Sequence, residues 1–151
     1  MPLKERITND IKAALLGGDR FVVDTLRGLK AAILNEEVAL GKRDEGLDDA
    51  SIEGVIAKEA KKRAESKALY EQNNRQELAD NEQRELEVLQ QYLPEQLSEE
   101  EIQNVINTVI DELGASGMQA MGQVIGAVKA KCGTAADGAV VARLVKSTLQ
   151  S

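Results

Sequence analysis

The stretch Leu93-Pro94-Glu95-Gln96-Leu97-Ser98-Glu99-Glu100-Glu101-Ile102 constrains this chain more than any other. No helix passes easily through Pro94, which lacks an N–H and whose ring crowds the preceding turn, so a helix arriving from the N-terminal side must finish near Leu93. Ser98 is then placed to accept from the first turn of a new helix. Glu101 occupies the third position of a capping box, and Leu97 with Ile102 forms a hydrophobic staple across it. Long charged segments precede the joint and aliphatic stripes follow it. The joint therefore divides the sequence into an N-terminal helical domain, 1–94, and a tail domain, 95–151.

Before the joint, Leu3, Ile7, Ile11 and Leu15 recur every four residues as one helical stripe, with Pro2 suited to a first helical position and Gly17-Gly18 as the stop. Asp19 can cap a second helix carrying Val22, Leu26, Leu29 and Ile33 on one face, ending near Leu40 before a loop from Gly41 to Gly46. Asp48 or Ser51 can start a third, with Ile52, Val55 and Ile56 buried and the stripe thinning to Ala60, Ala64 and Ala68. That segment leans on helix propensity and on pairs such as Glu59/Arg63 and Lys61/Glu65. Tyr70 to Asn74 reads as a turn, though a continuous helix fits the same residues. A fourth helix from about Arg75 carries Leu78, Leu86, Leu89 and Leu93, with Glu82 and Glu85 interrupting the stripe. Carboxylates on a half-apolar face need a partner, and Arg63 or Lys67 on an antiparallel third helix supply one in type. The pattern predicts a helical hairpin, closed by aliphatics at its base and laced by charge further out.

After the joint, Ile102, Val105, Ile106, Val109, Ile110 and Leu113 define an amphipathic helix that Gly114 ends. Ser116 and Gln119 match a second capping box ahead of Met118, Met121, Ile125 and Val128, and Gly122 with Gly126 would permit a close helix crossing. Gly133 closes this helix, and Asp137 can cap the last, lined by Val141, Leu144, Val145 and Thr148. The expected fold is all-α: an N-terminal four-helix region with a long charged hairpin, then a small three-helix bundle. One Phe, two Tyr and no Trp leave its cores to aliphatic side chains.

The same residues narrow the chemistry. There is no His and a single Cys, Cys132, so the commonest acid–base group, His-containing metal sites and thiolate zinc clusters are all missing, and no cofactor is implied. Gly122 to Gly126 follows a cap rather than a strand and lacks the Lys-Ser/Thr of a phosphate loop. Glu82 and Glu85 could face each other on adjacent turns, but no nucleophile accompanies them. The net charge of −7 argues against unspecific DNA binding over the whole surface. Charge is uneven, however: from Gly114 onward Lys129, Lys131, Arg143 and Lys146 face one acid, Asp137. These four are the candidate RNA-contact residues. Lys58, Lys61, Lys62, Arg63 and Lys67 are a candidate interaction face, although at 100° per residue Lys58, Lys61 and Lys62 share one side and Arg63 and Lys67 another. A lone cysteine, no signal-peptide pattern and no apolar run near 18 residues predict a cytoplasmic protein without membrane association.

Four strings, Lys58 through Ser66, Glu85 through Ser98, Met118 through Val124 and Ala136 through Val145, resemble those of the YqeY family and lie in the same order over nearly the whole chain. The C-terminal part resembles the tail domain of GatB, the B subunit of the tRNA-dependent Asp/Glu amidotransferase. The resemblance implies an N-terminal helical region followed by a three-helix tail. It also implies a tail that approaches or senses tRNA while amide transfer is carried out by other domains. Three functions follow in order: a non-catalytic accessory or adaptor whose tail contacts tRNA or a tRNA-processing protein; a protein interaction module without nucleic acid; and, last, carbon–nitrogen ligase activity with glutamine as amide donor.

Overall fold

The computed structural model describes residues 1–150, and their regular structure is entirely helical. Two compact units, Met1–Leu93 and Pro94–Ser151, each enclose a hydrophobic core of their own.

The first unit comprises α1 (Leu3–Leu16), α2 (Arg20–Ala39), α3 (Asp49–Gln72) and α4 (Gln76–Gln90). Pro2 is extended (φ −58°, ψ 145°) and stands just outside α1 as its cap rather than inside it. The Leu3 N–H that follows donates to Asp49 Oδ1 at 3.1 Å. Asp19 caps α2 by accepting from the Val22 N–H at 3.2 Å, and Asp48 caps α3 by accepting from Ser51 at 2.8 Å. Leu3, Ile7, Ile11, Leu26, Leu29, Ile33, Ile52 and Ile56 are buried together, as their spacing requires. Two positions differ from the stripes: Leu15 is exposed where α1 runs past the core, and Val23 is buried in place of Val22.

Glu37 follows Ile33 by four residues and is buried with it, at 1% exposure. Its carboxylate accepts from Lys4 Nζ at 3.0 and 2.8 Å and from the Leu47 N–H at 3.0 Å. Lys4 lowers the Glu37 pKa more than burial raises it, leaving the carboxyl below the ordinary glutamate range. At Gly46 (φ +77°) a Cβ would lie 3.3 Å from Glu37 Oε2, so both the backbone angle and the carboxylate favour glycine there. Near the end of the unit, the Tyr92 hydroxyl donates to Asp10 Oδ2 at 2.5 Å, beneath Arg6 at 4.7 Å from the ring centre. Burial and this bond push the phenol far above its usual range.

The hairpin of α3 and α4 departs from the expected stripe. Ala60 is buried, but Ala64 and Ala68 are exposed, and Arg63 and Lys67 turn toward α4 instead. A 60, 63, 67 spacing follows a helix seam as well as 60, 64, 68 does, and the polar side chains of α4 favour it. The helix also runs on through Gln72, so the turn is Asn73–Asn74, with Asn74 in the left-handed region (φ 58°) that asparagine tolerates. On α4, Leu78 is exposed, and Ala79 takes the buried position.

The second unit comprises α5 (Glu99–Leu113), α6 (Met121–Cys132) and α7 (Gly138–Gln150), with short 3₁₀ turns at Met118–Ala120 and Gly133–Ala135. The Ser98/Glu101 capping box forms in both directions, and Gly114 ends α5 at φ 60°. The linker is tied to its own unit: the Leu97 N–H donates to Ala135 O and Gln96 Nε2 to Thr134 O, both at 2.8 Å. The expected Ser116/Gln119 box does not form. Gln119 folds over Gly117 instead, where a Cβ would lie 2.6 Å from its Oε1, and a 3₁₀ turn leads into α6.

The core of the second unit is Ile102, Ile106, Val109, Val124, Val128, Val141 and Val145. Gly122 and Gly126 lie on the opposite side of α6 from Val124 and Val128, and a Cβ on either would meet nothing within 4 Å. The close crossing expected at these glycines is therefore absent; α6 packs through its valines. No helix among the described residues is long and apolar enough to cross a membrane.

Candidate functional site

The structure divides the four tail cations into two pairs. Lys131 donates to both oxygens of Glu112, at 3.2 and 3.0 Å, and Arg143 is ion-paired with Glu99. Both acids belong to α5, which supplies a row of negative side chains outside the segment that appeared basic in sequence. Exposed pairs of this kind contribute roughly 0–1 kcal/mol each and weaken with salt. Lys129 and Lys146 are exposed, with no ion pair among the described residues. Lys129 Cε and Nζ lie 3.3 Å from where a Cβ on Gly138 would stand, so the stem crosses to the first residue of α7. That places a positive charge at the end of α7 where the helix dipole is also positive. Asp137 offsets part of this charge and caps the helix by accepting from the Ala139 N–H at 3.0 Å.

The candidate face on α3 is divided as well. Lys58, Lys61 and Lys62 point outward, Lys62 at 3.1 Å from Glu59. Arg63 and Lys67 point into the hairpin, where Arg63 Nε lies 3.1 Å from Glu85 Oε2 and Lys67 donates to Gln83 at 2.9 Å. Glu82 and Glu85 thus share a guanidinium. Cys132 ends α6 half-buried, and burial pushes its thiol pKa up, away from the reactive thiolate. Among the described residues no group of three or more Cys, Asp or Glu could hold a metal ion.

What this defines is a class of all-helical protein, with a charged hairpin in its first unit and a three-helix tail as its second, in which acidic and basic side chains are paired within each unit. The chain belongs to the YqeY family, whose description, Yqey-like protein, matches residues 4–149. It is 32% identical over 87 residues to Altered inheritance of mitochondria protein 41, mitochondrial, of Vanderwaltozyma polyspora, covering 58% of this chain and 46% of the relative. The proteins of the same name from Lachancea thermotolerans and Kluyveromyces lactis are 30% and 31% identical, over 73% and 70% of this chain and 59% and 57% of theirs. The chain thus spans about half the length of these relatives.

The relatives are mitochondrial by name, and this corrects the expected cytoplasmic location. A single thiol and the absence of a spanning run do not specify a compartment, because an organelle address is read by receptors and leaves no trace in core patterning.

Proposed function

We propose that the chain is a non-catalytic accessory protein whose three-helix tail contacts tRNA through Lys129 and Lys146. The observation that carries this reading is Lys129, an exposed ammonium set at the positive end of α7, where an incoming phosphate meets a full charge and a helix terminus together. Lys146, also exposed, adds a second cation on α7. Likeness to the GatB tail points the same way. Lys131 and Arg143 join only by giving up Glu112 and Glu99, so they are secondary contacts. The relatives' names extend the reading to a mitochondrial setting.

Binding of tRNA by the full chain tests it. With two phosphate contacts the plot of log K against log salt has a slope of roughly −1.5 to −2. The double substitution Lys129→Glu/Lys146→Glu is expected to reduce affinity at low salt at least tenfold and to flatten that slope. Equal binding by both proteins would show that these two lysines do not contact tRNA.

A second reading, a docking surface for protein without nucleic acid, draws on the outward side of α3, where Lys58, Lys61 and Lys62 are followed by Leu69 at 59% exposure. Glutamine-dependent amide transfer ranks below both. Glu82 and Glu85 are engaged with Arg63, and the single thiol lies in the other unit, raised in pKa.

A further inference from the structure

The middle of the α3–α4 hairpin satisfies its charges incompletely. Arg63 Nε stands 3.1 Å from Glu85 Oε2 and 3.9 Å from Glu82 Oε2, close enough for attraction. Yet Arg63 Nε and Glu82 Oε2 are both buried without a hydrogen-bond partner. One turn earlier on α3, Glu59 Oε2 is buried in the same condition, 3.1 Å from Lys62 Nζ but not aligned with it. A carboxylate oxygen in this position bears its desolvation penalty without a donor to offset it.

Beyond this level little apolar burial holds the hairpin shut. Ala79 is buried, but Ala64, Ala68, Leu69 and Leu78 are exposed, and the closing contact is the bond from Lys67 to Gln83. Regions with few buried contacts open locally at low cost.

We propose that the outer hairpin, from Arg63 to Glu82, is a proton-sensitive clasp that opens as a unit while Glu82 is ionised and is held shut when Glu82 carries a proton. The protonated acid no longer repels Glu85 and no longer buries a charge without a donor. The groups around Glu82 are Glu85 on its own helix and Arg63 on α3, with Glu59, Lys62 and Lys67 flanking Arg63. α2 also packs on α4, and the contact shown there is Arg84, two residues along α4 from Glu82, with its guanidinium 3.9 Å from the Phe21 ring centre. Burial, then Glu85, push the Glu82 carboxyl above its ordinary range against the pull of Arg63. The closed hairpin therefore binds the proton more tightly than the open one. Closure strengthens as pH falls through the folded-state value and weakens as pH rises. Opening also releases Arg63 and Lys67, so the loosened clasp uncovers two further basic side chains.

Amide hydrogen exchange of the full chain from about pH 4, below the ordinary glutamate value, up to about pH 7, corrected for intrinsic exchange rates, reads the opening equilibrium directly. The opening constant for residues 64–81 is expected to rise with pH by up to about tenfold per unit, the limit for one proton. Glu82→Gln is expected to flatten that profile at the closed level. Glu85→Gln, which leaves Arg63 to Glu82 alone, is expected to move the rise to lower pH. A flat wild-type profile, a Glu82→Gln profile as steep as wild type, or a rise unmoved by Glu85→Gln would each overturn the clasp.

Discussion

Ile106→Ala is expected to unfold the tail unit while the N-terminal unit stays folded. Ile106 is fully buried, and around it the tail core holds one other isoleucine, Ile102, and five valines. Each valine fills a small volume, so the neighbours cannot collapse into the space an isoleucine leaves. Truncation then costs about 3–4 kcal/mol, comparable with the roughly 3–5 kcal/mol that a core of this size supplies. The three aromatic residues, Phe21, Tyr70 and Tyr92, all precede the joint. Near-ultraviolet circular dichroism therefore reports the first unit alone, whereas far-ultraviolet ellipticity reports both. The expected result is lost helicity with an unchanged tyrosine signal. A coincident loss of both would mean that the two cores fold as one.

Glu37→Ala is expected to have the next largest effect, on the first unit. The substitution leaves the half-buried Leu47 N–H without an acceptor and releases Lys4, so α2 loses its polar ties both to α1 and to the loop before α3. Lys4 is half-exposed and can be rehydrated, so the cost is put at about 2–4 kcal/mol, below that of breaking a fully buried pair. For a unit of this size that corresponds to a fall in Tm of roughly 10–20 °C. Glu37→Gln keeps one acceptor oxygen, which in the place of Oε2 reaches both donors, and is expected to recover part of the loss.

The pH dependence separates charge from shape. Glu37 is held below the ordinary glutamate range, so its contribution is complete above the unfolded-state value of about 4.3 and is lost as pH falls through the folded-state value. The stability difference between wild type and Glu37→Gln should therefore shrink on acidification. A difference unchanged by acid would show that packing, not the charge, holds the loop. Glu82 has the opposite sign, because burial, and after it the Glu85 carboxylate, outweigh the pull of Arg63.

Caps, stops and stripes made the helices legible in the sequence, because they are local: Asp19, Asp48, Ser98 with Glu101, and Gly114 each act within one turn of where they stand. Pairing in space was legible only where the partners were few. Glu82 and Glu85 required a cation from α3, and Arg63 supplies it. The Lys131–Glu112 and Arg143–Glu99 pairs were not legible, since the acids lie 19 and 44 residues away and no spacing rule brings them together. Gly122 and Gly126 misled because a small-residue spacing permits a close crossing without requiring one. Glu37 carried a signal that charge obscured. It continues the Leu26, Leu29, Ile33 stripe by one turn, and a carboxylate at a core position must be buried with its donors.

Recognition by the tail surface is tested most directly by a titration of the isotopically labelled full chain with tRNA, followed amide by amide. Predicted are shifts concentrated at Lys129, at Gly138 and along α7 to Lys146, fading as salt is raised. Shifts confined to α3 and α4, or none at low salt, would contradict it.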